Sequence, residues 1–201
     1  MSTATTMGNT IGVTITGDRP LLMHNGQLAN PLNPWAKRLK AFTSKRQKTD
    51  EDYIEIMRIE FMGGLYYDKK IGAYIPGINI EGCVWEGAKK KKRGTQVREG
   101  LTCLEDRVPL KYTGPRDPDA MWDLEEFRDV RGVKLNGKST MMRCRPVFRD
   151  WSLSFGLSYF PDVIDPESIR EALDDAGRRI GLGDYHYRFG KFSVTGWQVN
   201  A

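Results

Sequence analysis

Trp151-Ser152-Leu153-Ser154-Phe155-Gly156-Leu157-Ser158-Tyr159 alternates large apolar with small residues, the period-two pattern of a strand with one buried face. Shortly after it, Asp165-Pro166-Glu167 carries a helix start, and Ile169, Leu173 and Ala176 then form the buried stripe of that helix. The helix runs into Gly177-Arg178-Arg179-Ile180-Gly181-Leu182-Gly183, and a final strand spans roughly 189–199, beginning near Gly190-Lys191-Phe192-Ser193-Val194. The C-terminal part of the chain thus reads strand, helix, glycine-rich turn, strand.

Working outward, the β-branched alternation of Thr10-Ile11-Gly12-Val13-Thr14-Ile15-Thr16 predicts a first strand. A Gly/Pro/Asn loop follows to Asn33, which caps a helix with Pro34 at its first turn, running from about Trp35 to Lys45. A second helix follows Asp50, with Ile54, Met57, Ile59 and Phe61 apolar, and stops at Gly63-Gly64. A short hairpin turns through Asp68-Lys69-Lys70, and Pro76-Gly77 opens a helix expected to reach Arg93. Residues 101–112 read as one strand, 113–120 as a loop, and 130–147 as a hairpin turning at Asn136-Gly137. With the insertions set aside, the order is strand 10–16, helix 77–92, strand 101–112, strand 150–160, helix 166–177, strand 189–199. That is the split βαβ order of an α+β, ferredoxin-like (RRM-like) fold: a four-stranded antiparallel sheet backed by two helices. The expectation is one domain over 1–201 carrying two inserted subdomains, a helical and basic one at about 18–76 and a thumb-like hairpin at 113–149.

Composition agrees with a folded chain. Of 201 residues, 39% are hydrophobic, with five Trp, eight Tyr and eight Phe, enough for one full core. The net charge of +5 is moderate and does not by itself establish nucleic-acid binding. No apolar run approaches the roughly 20 residues of a membrane span. Met1-Ser2-Thr3-Ala4-Thr5-Thr6 has neither the basic region nor the apolar core of a signal peptide. Cys83, Cys103 and Cys144 are odd in number and lack metal-ligand spacing. Phosphate-loop and nucleophile-elbow motifs are also absent. The expectation is a reduced, cytoplasmic protein with no membrane, cofactor or metal partner.

Two segments carry a family resemblance. Tyr74-Ile75-Pro76-Gly77-Ile78-Asn79-Ile80-Glu81-Gly82 is similar to the opening of the first core helix in the RAMP superfamily of CRISPR systems. Gly177–Gly183, continued by Tyr187-Arg188-Phe189-Gly190-Lys191-Phe192, resembles that superfamily's glycine-rich loop before the last strand. The resemblance is strongest to the backbone subunits that polymerise along guide RNA. It implies a ribonucleoprotein subunit that binds single-stranded RNA without sequence preference, several copies side by side, with other effector-complex subunits as further partners and a role in antiviral defense. The chain departs from the family at Glu81, where a Lys or Arg is expected, and over Val84-Trp85-Glu86-Gly87-Ala88. The insertions match nothing in the family.

The residues suited to such a strand, RNA or DNA, are cations and rings. Lys37, Arg38, Lys40, Lys45, Arg46 and Lys48 place six cations in twelve residues with no acid among them. Lys89, Lys90, Lys91, Lys92 and Arg93 are adjacent like charges at a helix end, where phosphate would relieve their repulsion and the helix dipole already helps. The hairpin carries Lys134, Lys138, Arg143 and Arg145, with Met141 and Met142 as wedges between bases or as packing residues. Around the glycine run, Arg178, Arg179, Tyr185, His186 and Arg188 offer guanidinium forks and rings for phosphates and unstacked bases, and Gly181 and Gly183 permit a close approach. Each cluster also has an ordinary reading as a solvated or capping surface. The weak catalytic candidates are His24, as a base for a 2′-hydroxyl, and nearby Asp18; they define an RNA-cleaving alternative. A third reading is an assembly protein without nucleic acid. Asp117, Asp119, Asp123, Glu125 and Glu126 form an acidic patch suited to Mg²⁺ or, more simply, to helix capping.

Overall fold

The computed structural model describes residues 9–135 and 139–200. The strands and helices fall in the order β1 (Asn9–Gly17), β2 (Leu21–Leu22), α1 (Pro34–Thr43), α2 (Asp50–Gly64), β3 (Tyr67–Asp68), β4 (Gly72–Pro76), α3 (Gly77–Ala88), α4 (Gly94–Gly100), β5 (Leu101–Cys103), β6 (Arg107–Pro109), β7 (Lys111–Tyr112), α5 (Pro118–Asp123), β8 (Arg128–Leu135), β9 (Ser139–Phe148), β10 (Trp151–Tyr159), α6 (Pro166–Asp175) and β11 (Phe192–Asn200). The main sheet has the order β11-β1-β10-β5, with every neighbouring pair antiparallel and β7 also on β10.

The alternation in β10 is realised in full: Trp151, Leu153, Phe155, Leu157 and Tyr159 are buried, as are Ile11, Val13 and Ile15 of β1. The opposite face carries hydroxyls, with Thr14 opposite Ser154 and Thr16 beside Thr195 at hydrogen-bond distance. Helices α3 and α6 cover the apolar face through Ile80, Val84, Ile169 and Leu173. They cross at Gly87, where any side chain would run into the Ala172 carbonyl. Asp165 caps α6 through Ser168 N–H at 2.8 Å, and Asn33 caps α1 through Trp35 N–H at 2.9 Å.

Two predicted elements are reshaped. The expected single strand at 101–112 breaks into β5, β6 and β7. The Glu105 carboxylate accepts the Gly156 N–H at 2.9 Å in place of a backbone carbonyl, the chain leaves β10, and β6 pairs with β4 instead. The helix expected to reach Arg93 stops at Ala88, followed by one tight turn. Lys92 then adopts a left-handed backbone (φ 60°), while its N–H bonds to Lys89 O and that of Arg93 to Ala88 O. This is a Schellman closure with lysine where glycine is usual.

Segments 18–76 and 113–149 pack on each other. β9 pairs with β8 and with β2, and Met23, Phe61, Met121, Phe127 and Phe148 join the same buried cluster as the main sheet. The predicted turn at Asn136-Gly137, and Lys138, lie outside the described residues. No helix among the described residues is long and apolar enough to cross a membrane, and all three cysteines are free and buried.

Candidate nucleic-acid interface

The glycine-rich loop follows one wide helical turn, Ala176–Ile180, and folds back onto its own chain. Gly181 (φ 88°) and Gly183 (φ 77°) occupy the left-handed half of backbone space that disfavours side chains. A Cβ on Gly181 would lie 2.8 Å from His186 O and 2.6 Å from Phe189 O; one on Gly183 would collide with Leu22 O. The close approach that these glycines permit is therefore to neighbouring backbone of the same chain. The backbone donors are largely committed as well: Gly181, Leu182, Asp184, Arg188, Phe189 and Gly190 N–H all bond internally. Among the described residues, the loop donors left over are those of Gly183, His186 and Tyr187.

A groove of about 400 Å³ runs along this loop, between Gly181–Asp184 with His186 on one side and Asn79, Gly82 and Glu86 of α3 on the other. His24 lines this groove and also a neighbouring cavity with Glu60, Arg143 and Arg145. Burial draws the His24 imidazole below its ordinary value; Asp184 opposes that shift, while Arg145 and Arg143 add to it. The expected partner Asp18 is not among the groups acting on His24. Its carboxylate accepts from Ser193 Oγ at 2.8 Å across the β1–β11 edge. The acids that act on His24 are instead Asp184 and Glu60, because β2 carries the chain from Asp18 round to the hairpin.

The hairpin β8–β9 is docked on the glycine loop at its base. Arg145 lies 2.5 Å from Asp184, and the Arg131 guanidinium sits 4.6 Å from the Phe189 ring centroid and 5.8 Å from that of Tyr185. Arg143 pairs with Glu60, whose other oxygen accepts Cys144 N–H at 2.9 Å. Met141 and Met142 are 43% and 56% exposed, so they do not pack in this chain's own core. Tyr187 is 67% exposed, with its ring centroid 4.5 Å from that of Tyr185. Glu60, Arg131 and Asp184 escaped the sequence reading. A carboxylate inside the apolar run Ile59-Glu60-Phe61 was the available signal for the first.

The basic clusters divide into committed and free cations. Arg38 pairs with Glu55 and Lys45 with Asp52. Lys37, Lys40 and Arg46 are exposed and form no ion pair among the described residues. In the 89–93 run, Lys89 pairs with Glu86, and Lys91 and Arg93 share Glu171, while Arg93 also donates to Ser168 Oγ. The run is thus first a staple between α3 and α6, with Lys90 and Lys92 left outward. Arg178 and Arg179 both lean on the buried Asp175 yet remain 72% and 61% exposed in their side chains. Arg188 is exposed, and His186 Nδ1 lies 3.2 Å from Ile180 O. Of the acidic patch, Asp117 caps α5 and Asp119 pairs with Arg58 at 2.6 Å, so both carboxylates already have protein partners.

No protein-family model matches the sequence, and no curated protein does. Among solved structures, the chain is similar to one chain of the cryo-EM structure of the Type III-B Cmr-beta bound to cognate target RNA. The TM-score is 0.51 at 13% identity, and the match covers 96% of this chain and 60% of that one. At such identity the likeness is one of fold: this chain, over nearly its whole length, folds like part of a protein that works within an RNA-bound assembly.

Proposed function

We propose that this chain is a RAMP-type backbone subunit that holds single-stranded RNA, without sequence preference, along the groove between the glycine-rich loop and α3 and on to the hairpin cavity that shares His24. The order β11-β1-β10-β5 with α3 and α6 on one face supports a ferredoxin-like split βαβ core. We read the chain as one domain in which 18–76 and 113–149 are insertions, acting in several copies inside a cytoplasmic CRISPR-type ribonucleoprotein. Fold alone licenses no activity. The observation that carries the reading is the convergence, at His24, of the groove with Arg143 and Arg145 of the hairpin. Phosphates would meet those guanidiniums and the exposed cations Lys90, Lys92, Arg178, Arg179 and Arg188, and Tyr187 would stack on a base. Purification with the 260/280 nm absorbance ratio monitored, before and after nuclease, tests it. Co-purifying nuclease-sensitive RNA is expected; a protein free of nucleic acid that still assembles would favour the structural reading.

One observation favours cleavage as a second reading. The His24 imidazole, held below its ordinary pKa beside two guanidiniums, is neutral near pH 7 and competent to accept a 2′-hydroxyl proton. Labelled single-stranded RNA incubated with the protein and Mg²⁺ decides between the two. Intact RNA is expected, whereas cleavage that vanishes in His24→Ala would promote the nuclease.

A further inference from the structure

Arg145 is a buried guanidinium that is only partly satisfied among the described residues. The residue is 9% exposed; its Nε lies 2.5 Å from Asp184 Oδ2 at an angle that makes no hydrogen bond, and its Nη1 has no acceptor among the described residues. A buried guanidinium with few hydrogen bonds is costly, and an anion in an adjoining cavity offsets that cost through its charge. Arg145 forms part of the wall of a cavity of about 280 Å³ between the hairpin and the helical insertion, with Arg143, Glu60 and His24 as its other charged or polar groups and Leu28 and Val133 among the apolar ones.

The carboxylates nearby leave much of this donor set free. Glu60 engages one Arg143 nitrogen and the Cys144 N–H, and Asp184 Oδ1 accepts Tyr185 N–H. Each guanidinium has five N–H donors, so both arginines are positioned by carboxylates that use only a fraction of them. His24 lines both this cavity and the groove along the glycine loop. The cavity is large enough for a phosphate with its waters and far too small for a strand.

The geometry assigns this cavity as a single-phosphate pocket, with the Arg143 and Arg145 guanidiniums as its cations and His24 lining both it and the groove. For the source of the phosphate, the inference rests on the RNA reading: one phosphodiester of a strand lying in the groove would be seated here, fixing the register of strand on subunit. Asp184, Arg145, Arg143 and Glu60 are the charged groups that act on His24, and their signs balance. An added anion therefore favours the imidazolium, and phosphate binding tightens as His24 gains its proton.

The chain has two histidines, His24 and His186, so each imidazole gives its own NMR signal, and His186 does not line the cavity. Inorganic phosphate is titrated at constant ionic strength, replacing chloride. The expected result is that the His24 signal moves and its titration midpoint rises while His186 stays put. Arg145→Gln should then weaken phosphate binding by about tenfold or more. Arg143→Gln gives the parallel reading if Arg145→Gln does not fold. A His24 response identical in phosphate and chloride, or one that survives in these variants, means a water-filled cavity and overturns the pocket. An RNA oligonucleotide that binds by fluorescence anisotropy yet leaves His24 unmoved also overturns it, while the RNA reading stands. A phosphate response without any RNA binding upholds the pocket and removes the strand.

Discussion

Replacing Gly183 by alanine is the sharpest test of how the glycine-rich loop is built. Two costs combine there. The residue has φ 77°, where a side chain costs about 1–2 kcal/mol. The added Cβ would also sit closer than 3.0 Å to Leu22 O, the acceptor of Asp184 N–H at 2.8 Å, in the strand that pairs with β9. Moving that carbonyl forces overpacking at about 1–3 kcal/mol. The sum, about 2–5 kcal/mol, corresponds to a fall in Tm of roughly 4–20 °C for a chain of this size. Gly72 is the internal control, because it shares the positive φ (82°) but has open space where a Cβ would stand. Gly72→Ala should cost only the strain, about 1–2 kcal/mol. Asn tolerates left-handed backbone, so Gly72→Asn should recover much of that loss, whereas Gly183→Asn should not. Calorimetry and urea unfolding of the four variants give the comparison. If Gly183→Asn melts like wild type, or Gly183→Ala like Gly72→Ala, the close contact with Leu22 is not what requires glycine there.

Lys92→Gly should stabilise the protein by about 1 kcal/mol by relieving the left-handed lysine in the α3 closure; unchanged denaturation midpoints would contradict that closure. If Lys90 and Lys92 both touch phosphate, the pair Lys90→Gln with Lys92→Gln should flatten the slope of log affinity against log salt by about 1.4, at roughly 0.7 per contact, in a filter-binding series. Because the folded-state pKa of His24 lies below its ordinary 6.5, the unfolded chain holds more protons between the two values. His24's contribution is therefore complete above pH 6.5 and is lost as pH falls toward the folded value; His24→Gln should flatten that part of the stability profile, and an identical profile would sink the assignment. Burial pushes the Cys83 and Cys144 thiols up to about 12 and Cys103 up to about 11. All three should resist a thiol reagent at neutral pH until the chain unfolds; fast labelling of the native protein would show otherwise.

Much of the architecture could be read from sequence because its signals are local. The alternation of β1 and β10, the Asn33-Pro34 and Asp165-Pro166 helix starts, and the apolar stripe of α6 each depend on neighbours a few residues away. The order of those elements then restricted the sheet to few arrangements. Where a long-range partner intervened, the local reading failed. Glu105 took the Gly156 N–H and broke a continuous strand into three, and Glu171 and Ser168 of α6 drew Lys91 and Arg93 into a staple between α3 and α6.

The candidate site lies almost wholly on the second side of this division. Residue types alone marked the cations, the rings and His24 as groups suited to an anionic strand, since charge and hydrogen-bonding capacity belong to the side chain itself. Which of them remain available was decided only by tertiary contacts. Glu60, Arg143, Arg145 and Asp184 come from α2, β9 and the glycine loop, and only β2–β9 pairing and the docking of the hairpin bring them round His24. The glycines show the same split. Their presence announced a backbone that something must approach closely, but that the something is the carbonyl of Leu22, some 160 residues earlier, is a property of the folded chain, because a Cβ clashes only with what packing places beside it.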